Sequence, residues 1–123
     1  VFRLTVVDSF ASAHQLREYE GQCENLHGHN WRVEVVVEGR ELNFQGLLLD
    51  FKDLKGALRE VLKELDHSFL NELPYFQERN PTSENLAFFI FRGLEAALKA
   101  YPGVKVKSVT VWESERAGAT YLE

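Results

Sequence analysis

Between residues 31 and 37 the chain alternates: Trp31, Val33, Val35 and Val37 fall on one parity, Arg32, Glu34 and Val36 on the other. Successive side chains of a strand point to opposite faces, so the run predicts a strand buried on one side. Such a strand needs partners along its edges and a layer over its apolar face. The rest of the chain supplies both. Phe2, Leu4, Val6 and Phe10 alternate with Arg3, Thr5 and Ser9, which gives a first strand over 2 to 10. Residues 104 to 112 alternate again but change phase between Val106 and Val109, which predicts a bulge or an imperfect strand, and a short strand over 119 to 122 follows Gly118.

The covering layer comes from two helical stripes. Asp50 stands where an N-cap would, ahead of Leu54, Leu58, Val61, Leu62 and Leu65, with Lys55, Arg59, Glu60, Lys63 and Glu64 opposite. Thr82 or Ser83 caps a second stripe of Leu86, Phe89, Ile90, Gly93, Leu94, Ala97 and Leu98, which ends before Pro102-Gly103. The order ββααββ predicts one α+β domain over 1–123: a four-stranded antiparallel sheet with both helices on one face.

Composition narrows the function. The formal net charge is -5, with basic residues scattered rather than striped, which argues against a nucleic-acid partner and for a small-molecule substrate. A lone cysteine, Cys23, permits no intrachain disulfide. No apolar run approaches the roughly 20 residues that span a bilayer, so no membrane partner is expected. Val1-Phe2-Arg3-Leu4 carries no signal pattern, and a cytoplasmic location is expected.

His14, His27 and His29 lie within sixteen residues of one another. His27 and His29 share the parity of Trp31 and Val33, so a strand extended back to them aims both imidazoles at the protected face, with Gly28 leaving room between. His14 shares the parity of Phe10, and an adjacent antiparallel strand would bring it beside the pair. Three neutral imidazoles with one open position form a catalytic rather than a structural zinc pattern; the plainer reading is surface or core histidines. Cys23 reads as an inert buried thiol, a zinc ligand, or a thiolate activated by a nearby cation. Asp66-His67 reads either as a helix end with a favourably placed histidine or as a carboxylate orienting an imidazole for proton transfer. Glu113 shares the parity of Val109 and Val111; on that side it wants a partner with donors, and otherwise it is a solvated strand end.

Phe10-Ala11-Ser12-Ala13-His14, Cys23-Glu24-Asn25-Leu26-His27-Gly28-His29, Leu65-Asp66-His67, Pro81-Thr82-Ser83-Glu84-Asn85 and Trp112-Glu113 together resemble the 6-pyruvoyltetrahydropterin synthase family. The resemblance implies a tunnelling-type fold, zinc on His14, His27 and His29, Cys23 as catalytic thiol, and Asp66 with His67 as a proton relay. It also implies Glu113 as pterin anchor, at the far end of the substrate from the metal, with Thr82 and Ser83 adding contacts to the ring. The three residues between Cys23 and His27 resemble the 6-carboxytetrahydropterin synthases of queuosine biosynthesis, where animal-type pyruvoyl enzymes usually have a longer gap. Two departures stand out: Ser12 replaces a frequent alanine, and Glu115-Arg116 set two charges just after the anchor.

The implied substrate is 7,8-dihydroneopterin triphosphate, and the implied products are 6-carboxy-5,6,7,8-tetrahydropterin, acetaldehyde and triphosphate. The alternatives are the pyruvoyl-forming synthase, which eliminates triphosphate without losing carbons, and a non-catalytic zinc or pterin-binding module. Exposed sheet edges together with the resemblance imply a homohexamer, a dimer of trimers in which each trimer closes a barrel.

Overall fold

The computed structural model describes residues 1–18 and 25–123. Two long strands dominate it: β1 (Phe2–His14) and β2 (His27–Gly39) run antiparallel along their whole length, from the pair Phe2 and Gly39 to the pair His14 and His27. Both reach further toward the histidines than the alternating runs alone required. Their even-numbered and odd-numbered apolar sets, Val6 and Phe10 on β1 and Trp31, Val33, Val35 and Val37 on β2, are buried together.

β2 continues the core. It begins under the histidines and then passes into a turn after Gly39, where Asn43 Oδ1 accepts the N–H groups of Gln45 and Leu47 and Gly46 takes a positive φ of 83° that favours glycine. Asp50 then caps α1 (Phe51–Leu62) by accepting from the N–H of Lys52, and Leu54, Leu58 and Leu62 face inward. Thr82 caps α2 (Ser83–Ala97) through the N–H of Asn85. Gly93 lets the helices close: a Cβ there would sit 2.9 Å from the Val61 side chain.

Among the described residues the sheet has five strands where four were expected. Beyond β1 lies β3 (Ser68–Phe69), paired parallel with Ser12 and Ala13, so the sheet is not wholly antiparallel. Two residues cannot display a period, which is why the alternation gave no sign of it. On the other side β4 (Lys105–Trp112) pairs with β2, and β5 (Gly118–Leu122) with β4, giving the order β3-β1-β2-β4-β5. The phase change near Val106 is a register shift opposite Val36 and Val37, as expected of a bulge. The α+β layering, with both helices over the apolar face, holds; the sheet of one chain is open rather than closed into a barrel.

Candidate metal and substrate site

The register of β1 and β2 decides where the imidazoles meet. His14 lies directly across from His27, and His29 lies across from Ser12 one step further in. All three rings project to the core side at the end of the sheet and meet edge to face, with centroids 4.6 to 5.1 Å apart, and His14 and His29 also pack against Trp31. His14 is buried, while His27 and His29 are partly exposed.

Two carbonyls fix the tautomers. His14 Nδ1 is 2.8 Å from the carbonyl oxygen of Pro81, and His27 Nδ1 is 2.7 Å from that of Asn25. A carbonyl only accepts, so both Nδ1 atoms carry the proton and a neutral ring presents a lone pair at Nε2. Those two Nε2 atoms stand 3.0 Å apart. Facing lone pairs repel, and a positive charge between them, a proton or a metal ion, removes the conflict.

The third and fourth groups favour a metal ion. His29 Nε2 is buried without a hydrogen-bond partner, although Glu113 Oε1 approaches to 2.9 Å. The pair is close but lacks the alignment of a hydrogen bond. The same carboxylate oxygen is 3.5 Å from His14 Nε2 and 4.0 Å from His27 Nε2. Four donor atoms therefore lie within 4.8 Å of one another. Ligands in a tetrahedron with bonds of about 2.0 to 2.1 Å stand about 3.3 Å apart, close to the spacings seen. Burial pushes the His29 pKa below the ordinary histidine value, against the pull of Glu113, and so favours the neutral form that ligates. This cluster of His14, His27, His29 and Glu113 can hold a metal ion.

Glu113 is thus not apart from the histidines, as expected, but among them. It follows β4, and the pairing of β4 with β2 brings the residue after Trp112 to the histidine end. Its N–H donates to the carbonyl of Ala117 across the turn into β5, where Ser114, Glu115 and Arg116 face solvent. Glu115 and Arg116 therefore rim the site rather than enter it.

Asp66 and His67 form a pair, with His67 Nδ1 3.1 Å from Asp66 Oδ1. Asp66 also accepts the N–H of Ala11 at 2.9 Å, and His67 N–H donates back to the Ala11 carbonyl. The Ala11 N–H, more than the neighbouring imidazole, holds the Asp66 carboxyl below the usual aspartate range. His67 adopts a φ of 54°, a left-handed conformation that histidine tolerates better than most residues, and its side chain is 83% exposed. The pair lies along the outer edge of β1, away from β2, so one chain does not seat it among the other histidines.

The departure at Ser12 has a structural role. Its buried hydroxyl donates to the carbonyl of Leu65, which Ser68 also contacts at 2.7 Å, and this ties β1 to the turn that carries Asp66 and His67. Thr82 and Ser83 start α2, next to the Pro81 carbonyl that binds His14; Thr82 Oγ1 is engaged as the helix cap. Cys23 lies outside the described residues. The groups that sequence reasoning missed are carbonyls and amides: Pro81, Asn25, Asn71 and Asn80. The Asn80-Pro81 dipeptide marks a turn, but backbone oxygens leave no trace in a side-chain pattern.

A model of the 6-pyruvoyl tetrahydropterin synthase family matches residues 3–123. The chain belongs to that family. Among its relatives, a putative 6-carboxy-5,6,7,8-tetrahydropterin synthase of Archaeoglobus fulgidus is 39% identical over 87% of this chain and 84% of its own. A dihydroneopterin monophosphate aldolase of Pyrococcus furiosus is 42% identical over 89% of this chain and 88% of its own. A 6-carboxy-5,6,7,8-tetrahydropterin synthase of Synechocystis is 40% identical over 93% and 88%. The solved 6-pyruvoyl tetrahydropterin synthase of Caenorhabditis elegans superposes with a TM-score of 0.87 at 27% identity, covering 99% of this chain and 95% of that one. No helix of the described residues is long and apolar enough to cross a membrane.

Proposed function

We propose that the protein is a zinc-dependent carbon–carbon lyase that converts 7,8-dihydroneopterin triphosphate and water to 6-carboxy-5,6,7,8-tetrahydropterin, releasing acetaldehyde and triphosphate. The observation that carries the reading is the convergence of His14, His27 and His29 Nε2 with the Glu113 carboxylate at one end of the sheet, in a family whose relatives include 6-carboxytetrahydropterin synthases. Three imidazole nitrogens suit zinc, which in catalytic sites takes three protein ligands and keeps a fourth position for water or substrate, and Glu113 borders that position.

Zinc bound there would supply Lewis acidity, stabilising negative charge as it develops on the oxygens of the substrate side chain. The chain's own groups would do the rest. Glu113 offers a two-oxygen acceptor for the paired N–H donors on the pterin edge. Because it also reaches the histidines, the ring and the ion would be held by adjoining parts of one carboxylate-lined pocket. Thr82 and Ser83, at the start of α2, are the proposed further contacts to that ring. Cys23, four residues before His27, is the proposed thiolate, and His67, oriented by Asp66, is the proposed proton carrier. The exposed imidazole of His67 is open to a substrate or to another copy of the chain.

A second reading has an observation of its own: the Pyrococcus furiosus relative at 42% identity is an aldolase acting on dihydroneopterin monophosphate. Cleaving between the two hydroxyl-bearing carbons of that side chain gives a 6-hydroxymethyl pterin and glycolaldehyde phosphate. The zinc, thiol and anchor would serve equally. Product masses after incubation with each ester separate the readings. Acetaldehyde and a 6-carboxypterin from the triphosphate support the first, and glycolaldehyde phosphate from the monophosphate supports the second. A 6-pyruvoyl product without any aldehyde removes both, and absence of turnover by the zinc-loaded protein leaves a binding module.

A further inference from the structure

The chain that leaves His14 is gripped by two asparagine side chains. Asn71 Oδ1 accepts the N–H of Gln15 at 2.9 Å, and its Nδ2 donates to the Gln15 carbonyl at 2.6 Å. Asn80 does the same one step on: Oδ1 accepts the N–H of Arg17 at 2.8 Å, and Nδ2 donates to the Arg17 carbonyl at 3.0 Å. Each primary amide presents one acceptor and one donor to a single residue, as a neighbouring strand would. The paired edge of β1, which β3 covers at Ser12 and Ala13, is continued by side chains through residue 17.

Asn80 has a second attachment, to the start of α2. Its own carbonyl accepts the Asn85 side chain at 2.8 Å and the Thr82 N–H at 2.9 Å, which sets the turn into α2. The next carbonyl along is that of Pro81, the one that receives His14 Nδ1. Residues 14 and 17 on one segment are therefore bolted to residues 81 and 80 on the other. The Arg17 guanidinium reinforces the bracket through the carbonyls of Asn71 at 3.2 Å and Arg79 at 3.3 Å.

We infer that Asn80 is a positioning residue of the metal centre: by tying residue 17 to the turn before α2, it sets the Pro81 carbonyl against His14 Nδ1 and so keeps His14 Nε2 free for the ion. The inference rests on the metal-centre reading above. A partner that orients a ligating imidazole is worth about 10- to 100-fold in metal affinity. Asn80 never touches the ion; it acts through the carbonyl of the next residue.

The test is zinc affinity by competition with a chromogenic chelator, together with the visible spectrum of the cobalt-substituted protein. Three chains are compared: wild type, Asn80→Ala and Asp50→Ala. Asp50 caps α1 beyond the opposite end of β2, so Asp50→Ala lowers the melting temperature and leaves zinc affinity as it was. Asn80→Ala should bind zinc about 10- to 100-fold more weakly and show an altered cobalt spectrum, because the His14 ligand is no longer held in line. If Asn80→Ala does not fold, Asn80→Asp carries the test. That variant keeps the acceptor for the Arg17 N–H and sets an acceptor against the Arg17 carbonyl, so a smaller loss is expected. Wild-type affinity and spectrum in a folded Asn80 variant would overturn the inference while leaving the metal centre standing. Wild-type protein that binds no zinc would overturn both.

Discussion

His14 Nε2 and His27 Nε2 stand 3.0 Å apart, each on a ring whose other nitrogen is committed to a backbone carbonyl. The arrangement costs energy unless a positive charge joins the two lone pairs, and it marks these atoms as ligands. With His27→Ala only two of the three imidazoles remain, and zinc should be held much more weakly. Elemental analysis should find about one zinc per wild-type chain and little in the variant. Full zinc in His27→Ala would take His27 out of the ligand set.

Glu113 is asked to do two things, and one substitution separates them. Glu113→Gln exchanges an acceptor for a donor against the N–H edge of the pterin, leaving a buried group unsatisfied at about 1 to 3 kcal/mol. Pterin affinity should fall about tenfold, read by fluorescence titration. Zinc should be held more weakly than in wild type, since the carboxylate lies 2.9 Å from His29 Nε2, but better than in His27→Ala, because three imidazoles remain. Unchanged pterin binding would remove Glu113 as the anchor.

Much of this site could be read from the residues alone, and the reason is periodicity. His14 shares parity with Phe10 and Val6, and His27 and His29 with Trp31, so two-residue alternation places all three on the core side once the strands are long enough. Asp50 and Thr82 were legible as caps because a short polar side chain before an apolar stripe has few other uses. Glu113 lies on the side its parity with Val109 and Val111 implies, but its closeness to the histidines follows from the pairing of Trp112 with Arg32, which no single run of residues displays. β3 and the Asn71 and Asn80 brackets were invisible for a different reason. They rest on amide and carbonyl groups in segments with no period.

Asp66 gives the stability a pH dependence with a definite sign. Its folded pKa is lowered, chiefly by the Ala11 N–H, so its contribution is complete above the ordinary aspartate value of about 3.9. That contribution fades as pH falls through the lower folded value. Asp66→Ala should therefore melt below wild type at pH 7, and the gap should narrow below about pH 4. A gap that stays constant from pH 7 down to pH 3 would show that the carboxylate's charge is not what stabilises the turn.

Among the described residues the sheet of one chain is open, with β5 on one edge and most of β1 uncovered on the other. Unpaired edges of this length invite pairing with another copy, and a homohexamer of two stacked, barrel-closing trimers is the proposed answer. Light scattering at micromolar concentration should report six chains. A stable monomer would mean that the edges are protected in some other way and that His67 meets its substrate within one chain.

The most direct test of the central claim, metal-dependent cleavage of a side-chain carbon–carbon bond in a phosphorylated dihydroneopterin, is aldehyde release by chelator-stripped protein before and after zinc is restored. Stripped protein should release essentially none, stoichiometric zinc should restore release to the wild-type rate, and His27→Ala should stay silent with zinc present. Undiminished aldehyde release by protein shown to be free of metal would contradict the account.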